Sequence, residues 1–74
     1  MAYESKTKIA LDGKKLVLMR AKRRWTQKQA ARRAKVSLPT YGNAERGQEV
    51  QAANAGRIAA AYNVEVEELE AKSA

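Results

Sequence analysis

The sequence predicts a small all-α protein, and two observations support that prediction. Ala is abundant, Phe is absent and β-branched residues never form strand-like runs, so helix is favoured along the 74 residues. Residues 25–47 read WTQKQAARRAKVSLPTYGNAERG and contain the capping residues of two short helices joined by a tight turn. We therefore expect a compact five-helix domain with no sheet of consequence.

Capping residues set the positions of these helices. Asp12, Thr26 and Ser37 each offer a side-chain oxygen just ahead of a helical segment, where it can accept from a free backbone N–H. Pro39 has no backbone N–H. It is tolerated because it lies in the first turn of its helix, where a backbone N–H would have no intrahelical acceptor. The five predicted helices cover residues 13–24, 27–34, 38–46, 52–62 and 65–71.

Apolar spacing predicts which residues form the core. The residues expected to be mostly buried are Leu16, Met19, Ala31, Val36, Tyr41, Ile58, Ala59, Val64 and Leu69. Residues 1–11 show no helical periodicity. They are either a flexible arm or a segment whose Ile9 and Leu11 pack on the domain of residues 12–74. We find no internal repeat or second domain.

The charge of the chain is divided between its two halves. The net charge is +7; twelve Lys or Arg and one acid lie between Lys6 and Lys35, whereas six acids and three bases follow from Glu45 onward. A basic half indicates a surface that faces nucleic acid. The alternative is that the basic residues only keep a small domain soluble.

Composition excludes several classes of function. The chain has no Cys and no His, so disulfides and the common zinc and haem ligands are ruled out, and no glycine-rich phosphate loop is present. We expect no enzyme activity, no cofactor and no metal. No apolar stretch approaches the ~20 residues of a membrane span, and nothing resembles a signal peptide. The sequence therefore predicts a cytoplasmic protein without membrane association.

The region around the predicted turn is similar to one known family. The spacing of residues across 14–70 resembles the lambda-repressor/Cro-like (XRE-type) helix-turn-helix domains. The residues that carry this resemblance are Leu16, Met19, Arg20, Thr26, Gln27, Ala31, Val36, Ser37, Thr40, Tyr41, Glu45, Arg46, Gly47, Ile58, Ala59, Tyr62, Val64, Val66 and Leu69.

The sequence departs from the family pattern at a few positions. Lys35 stands where the family usually has Gly, and Arg24-Trp25 stands where Gly-Leu is common. Ala30 and Ala44 stand where larger aliphatic residues are common. Trp25 is the candidate to fill the space that these small residues leave.

The resemblance implies sequence-specific binding of double-stranded DNA by a small phage or prokaryotic transcriptional regulator, most simply a repressor. The third helix, over about 38–46, would enter the major groove, and a homodimer would bind the operator because one such module offers a small interface. The alternative is a protein-interaction module on the same fold, such as an antitoxin-like domain or a bridging factor.

The resemblance also assigns residues to the expected interface. Gln27 stands where the family has a glutamine that binds a phosphate at a helix N-terminus. Asn43 is the expected reader of adenine, because its amide matches the N6/N7 edge. The expected DNA-binding residues are Gln27, Lys28, Lys35, Ser37, Leu38, Pro39, Thr40, Gly42, Asn43 and Arg46.

The bases and small residues of this set have more than one interpretation. Arg46 and Lys35 are expected phosphate contacts, or else plain surface charge. Thr40 either binds a phosphate or bonds within its own helix. Gly42 either allows close approach to DNA or marks a bent helix.

Finally, Arg20 and Glu45 resemble an ion pair of the family. An Arg on the inward side of the first helix needs a partner, and a carboxylate that accepts two of its N–H groups is the best one.

Overall fold

Five helices and one antiparallel pair of short strands make up residues 7–71, the part of the chain that the computed structural model describes. The elements in order are β1 (Lys8–Ala10), α1 (Gly13–Lys22), α2 (Gln27–Ala34), α3 (Leu38–Glu45), β2 (Glu49–Gln51), α4 (Ala52–Ala61) and α5 (Val66–Leu69). The predicted all-α, five-helix fold is confirmed, and the helices end within a few residues of their expected bounds. In this described part, no helix is both long and apolar enough to cross a membrane.

The three predicted caps are present. The Asp12 side chain accepts from the backbone N–H of Lys15 at 3.2 Å. Thr26 and Gln29 form a capping box, in which each side chain bonds the other residue's backbone N–H. Ser37 accepts from the backbone N–H of Thr40 at 3.2 Å. Each cap satisfies an N–H that the first turn of a helix leaves without a partner.

The small sheet is the main feature that the sequence did not predict. Lys8 pairs with Gln51, Ile9 with Val50 and Ala10 with Glu49, whereas the sequence led us to expect no sheet of consequence. Leu11 is buried and Ile9 packs against the core, so this part of 1–11 belongs to the domain. Strands of three residues are too short to give a readable alternation of polar and apolar residues. Residues 1–6 of the expected arm lie outside the described residues.

The core is centred on two tyrosines. Tyr41 of α3 and Tyr62, just after α4, are both buried, and their hydroxyl oxygens lie 2.6 Å apart. Burial raises the pKa of Tyr41, as it does that of Tyr62, so both phenols stay protonated at neutral pH. All nine predicted core residues are buried or partly buried.

Trp25 fills space beside this pair, as expected. Its ring centroid lies 5.4 Å from that of Tyr62, and the guanidinium of Arg33 stacks on it at 4.9 Å. Ala30, Ala44 and Tyr62 belong to one buried cluster, and Trp25 packs against that cluster.

Two helix ends place a basic residue in the left-handed region. Arg24 after α1 has φ 57° and Lys35 after α2 has φ 62°. These are positions at which the resembled family has Gly, the residue that adopts this conformation without steric cost. Any side chain with a Cβ is strained there, so both residues retain a positive charge at the expense of stability.

We expect Lys35→Gly to stabilise the fold by about 1 kcal/mol, because it removes the strain of the left-handed conformation. Lys35→Ala is the matched control: it removes the same charge from the C-terminus of α2 but keeps a Cβ. Thermal unfolding of the three proteins measures the effect. Equal melting temperatures for the Gly and Ala variants would show that backbone strain is not the cause.

Candidate nucleic-acid interface

The two helices on either side of the predicted turn pack closely. The residues of α2 that face the core are Ala30, Ala31 and Ala34, all of them buried. Because their side chains are small, α2 can approach both α3 and α4. The chain reverses through Lys35 and the N-cap Ser37, and only three residues lie between the end of α2 and the start of α3. The two helices and the turn therefore form one rigid unit.

An ion pair ties α1 to the end of α3. Arg20 Nε donates to Glu45 Oε2 at 2.6 Å, and a second guanidinium nitrogen donates to Oε1 at 3.2 Å. The predicted pair is therefore present as a fork on a carboxylate. The Glu45 side chain is only 4 % exposed and that of Arg20 is 22 % exposed. Arg20 also donates to the carbonyl of Trp25 at 3.0 Å, which fixes the connection between α1 and α2.

The same carboxylate is held in its ionised form. Burial opposes ionisation of Glu45, but hydrogen bonds from Arg20 and Gln27 outweigh it and leave the pKa of Glu45 below its ordinary value. The hydrogen bond to Glu45 in turn raises the pKa of Arg20. Both groups are thus charged at neutral pH.

Gln27 lies at the start of α2, but it is not a free side chain. Its amide nitrogen donates to Glu45 Oε1 at 2.8 Å. An amide nitrogen has two hydrogens, so one remains for a further acceptor beside the helix N-terminus. The expected phosphate ligand is therefore held in place by the Arg20–Glu45 pair.

Four positions of α3 and its C-cap form one outward stripe, spaced at i, i+3, i+4 and i+7: Pro39, Gly42, Asn43 and Arg46. Pro39 and Arg46 are exposed, and Asn43 is half-buried. Leu38, beside the stripe, is 45 % exposed, which is high for a large apolar residue. This is the surface that α3 presents to a partner.

Gly42 is among the DNA-binding residues expected from the sequence. The structure corrects this expectation, because Gly42 is buried. A Cβ built on it would lie 3.4 Å from a guanidinium nitrogen of Arg46, whose side chain lies across the glycine. Another guanidinium nitrogen donates to Asn43 Oδ1. Long side chains near the end of a helix lean toward its N-terminus, and Arg46 thereby covers the preceding turn.

Ser37 and Thr40 are bonded to each other. The Ser37 hydroxyl donates to Thr40 Oγ1 at 2.9 Å, in addition to accepting from the Thr40 backbone. Of the two interpretations of Thr40, the structure shows the local hydrogen bond.

Comparison with family models decides what this arrangement is. A helix-turn-helix model matches residues 16–69, which include α2, the turn and α3. The chain belongs to the XRE-type, lambda-repressor-like helix-turn-helix family. Neither the curated proteins nor the solved structures give a significant match. The helix-turn-helix family is one of DNA-binding regulators, which agrees with the expected class of function.

Exposed cations flank the helix-turn-helix unit of α2, the turn and α3. Lys28 and Arg32 lie on the outer face of α2, and Lys35 lies in the turn. Together with Arg46 they give this side of the molecule a positive surface.

Sequence reasoning missed three neighbours of α3. Lys8 of β1, Gln51 at the end of β2 and Asn54 of α4 line a shallow polar cleft together with Thr40 and Asn43. They reach this place because β1 pairs with β2, the strand that follows α3. The polar-apolar-polar alternation of Glu49-Val50-Gln51 is a signal for this strand in the sequence, and it is too short to be decisive.

Proposed function

We propose that this protein is a sequence-specific double-stranded DNA-binding regulator of a phage or prokaryote, which acts as a repressor. It places α3 in the major groove of its operator and holds the flanking phosphates with the N-terminus of α2 and the exposed cations. The observation that carries this is the outward stripe of α3, on a helix that is held by its Ser37 cap, by the ion pair from α1 and by the hydrogen bond from Gln27 of α2.

The N-terminus of α2 supports the anchoring role. Thr26 and Gln29 satisfy part of the free N–H groups, and the amide of Gln27 has one hydrogen left for an anion. A phosphate there would meet both this donor and the positive end of the helix dipole.

A homodimer is the proposed binding unit. One such module buries too little surface for tight specific binding, so two copies would read two half-sites about one helical turn apart. A palindromic site selected from a random duplex pool supports the dimer, whereas a single half-site contradicts it.

Salt dependence tests the role of the cations. We expect Lys28→Ala to weaken binding to selected and scrambled duplexes by the same factor, and to reduce the slope of log affinity against log salt by about one unit. Lys15→Ala is the control, because its amine already donates to the carbonyl of Glu68 at 2.8 Å on the α5 side. If the two variants lower the slope equally, α2 does not face the phosphates.

One observation favours the second candidate function, a protein-interaction module. Val17 and Leu18 of α1 are 39 % and 63 % exposed and lie beside Lys14 and Glu45. An exposed apolar pair of this kind suits a protein partner, and the basic half of the chain suits an acidic one. A chain that binds all duplexes equally and weakly, yet forms a stoichiometric complex with an acidic protein, would favour this candidate over DNA regulation.

A further inference from the structure

The geometry of Arg46 bears on which base α3 recognises. The resemblance to the family suggests a phosphate contact for Arg46, which would direct its side chain away from the bases. In the structure, Arg46 belongs to the same stripe of α3 as Pro39 and Asn43, and its guanidinium lies over Gly42 at the centre of that stripe. A Cβ at Gly42 would be in van der Waals contact with this guanidinium, which therefore lies directly over the glycine.

The contact with Asn43 changes what both residues offer to DNA. Bidentate reading of adenine requires the Asn oxygen to accept from N6 while the amide nitrogen donates to N7. Here Asn43 Oδ1 already accepts from Arg46, and the guanidinium stands beside that oxygen. The N6 amino group of adenine, itself a donor, would meet further N–H donors there. At this contact the guanidinium of Arg46 and the amide nitrogen of Asn43 are therefore both donors, while the carboxylate of Glu49 also lines the cleft beside Asn43.

Guanine is the base that fits such a surface, since its major-groove edge presents two acceptors, O6 and N7. We propose that Arg46 reads a guanine and that Asn43 is a positioning residue that holds the guanidinium on the reading face. This rests on the proposed function, sequence-specific DNA binding through α3. A guanidinium has five N–H donors in a planar fork, so one bond to Asn43 leaves enough for O6 and N7.

The test begins with selection of sites from a random duplex pool by the full chain. We expect one guanine in each half-site whose enrichment disappears with Arg46→Ala and is reduced, but not abolished, with Arg46→Lys. A Lys can still donate to O6 or N7 but lacks the planar fork, whereas neither substitution would change the base preference if Arg46 bound a phosphate. The affinity of Arg46→Ala for the selected duplex should be about 5- to 150-fold lower than that of the wild type, and its affinity for a scrambled duplex should change little.

Base analogues locate the contact. Replacing that guanine by 7-deazaguanine removes the N7 acceptor and should weaken the wild type but not Arg46→Ala. Replacing it by hypoxanthine keeps O6 and N7 and should leave wild-type binding unchanged. Asn43→Ala as a single substitution should reduce the guanine preference. Added to Arg46→Ala it should have no further effect, because Asn43 acts through Arg46.

Arg57 provides a matched control. It is an exposed Arg on α4 that donates to Asn54 Oδ1 at 3.4 Å, the same i, i+3 arrangement on a helix other than α3. Arg57→Ala should leave the guanine preference intact, and circular dichroism melting shows that each variant is folded.

Three results would overturn the proposal while leaving the proposed function in place. The first is an adenine at the position where Asn43→Ala lowers the base preference. The second is a guanine that both Arg46 variants still select. The third is that the Arg46 variants lose affinity equally on selected and scrambled duplexes. A wild-type chain that selects no sequence at all would overturn the proposed function as well.

Discussion

Gly13→Ala is expected to destabilise the fold by about 3 kcal/mol, the upper end of the usual cost of overpacking. Gly13 begins α1, and a Cβ built on it would lie 2.1 Å from the carbonyl oxygen of Glu45 and 2.8 Å from its carbonyl carbon. Both are backbone atoms at the end of α3, so no side chain can turn aside to make room. The added methyl group must push α1 away from the end of α3.

Gly56→Ala is the matched control, because the same substitution there is expected to have the opposite sign. Gly56 lies inside α4, and a Cβ at this position meets nothing within 4 Å. Ala is favoured over Gly in a helix interior by about 1 kcal/mol, so this variant should melt at a higher temperature than the wild type. Denaturant titration of both variants measures the difference. If Gly13→Ala is also stabilising, α1 and α3 are not in the close contact described.

This contact shows where prediction from the sequence ends. The caps at Thr26 and Ser37 and the helix end at Asn63 (φ 59°) are local, because each depends on a residue type and its neighbours within one turn. Such signals are readable in one sequence. The requirement for Gly at position 13 depends on its distance from Glu45, which no local pattern records.

The same distinction separates the parts of the candidate interface. The stripe of α3 follows from helical spacing alone, and so does the presence of Asn43 on it. What Asn43 offers to DNA depends on the direction that the Arg46 side chain takes, which spacing does not determine. Gln27 is comparable: its place at the start of α2 is predictable, but its hydrogen bond to Glu45 joins residues that three-dimensional packing brings together.

The Arg20–Glu45 pair was predictable only through the family resemblance, and its removal is the second change with a large expected effect. Glu45→Gln should cost about 2–3 kcal/mol, between the ~0.2–1 kcal/mol of an exposed pair and the ~3–5 kcal/mol of a fully buried one. The reason is that a half-buried guanidinium is left without a counter-charge and Gln27 loses a charged acceptor. For a domain of this size the melting temperature should fall by about 10–20 °C.

The pH dependence of this effect identifies its cause. Because the pKa of Glu45 in the folded state lies below its ordinary value, its ionisation stabilises the fold above that ordinary value, and the contribution is lost as the pH falls through the folded-state pKa. The gap in melting temperature between wild type and Glu45→Gln should therefore close as the pH is lowered, since a protonated Glu resembles Gln. Glu49→Gln, at an exposed carboxylate that has no ion pair within residues 7–71, should melt like the wild type at every pH. A gap that stays constant with pH would mean that the charge of Glu45 is not what joins α1 to α3.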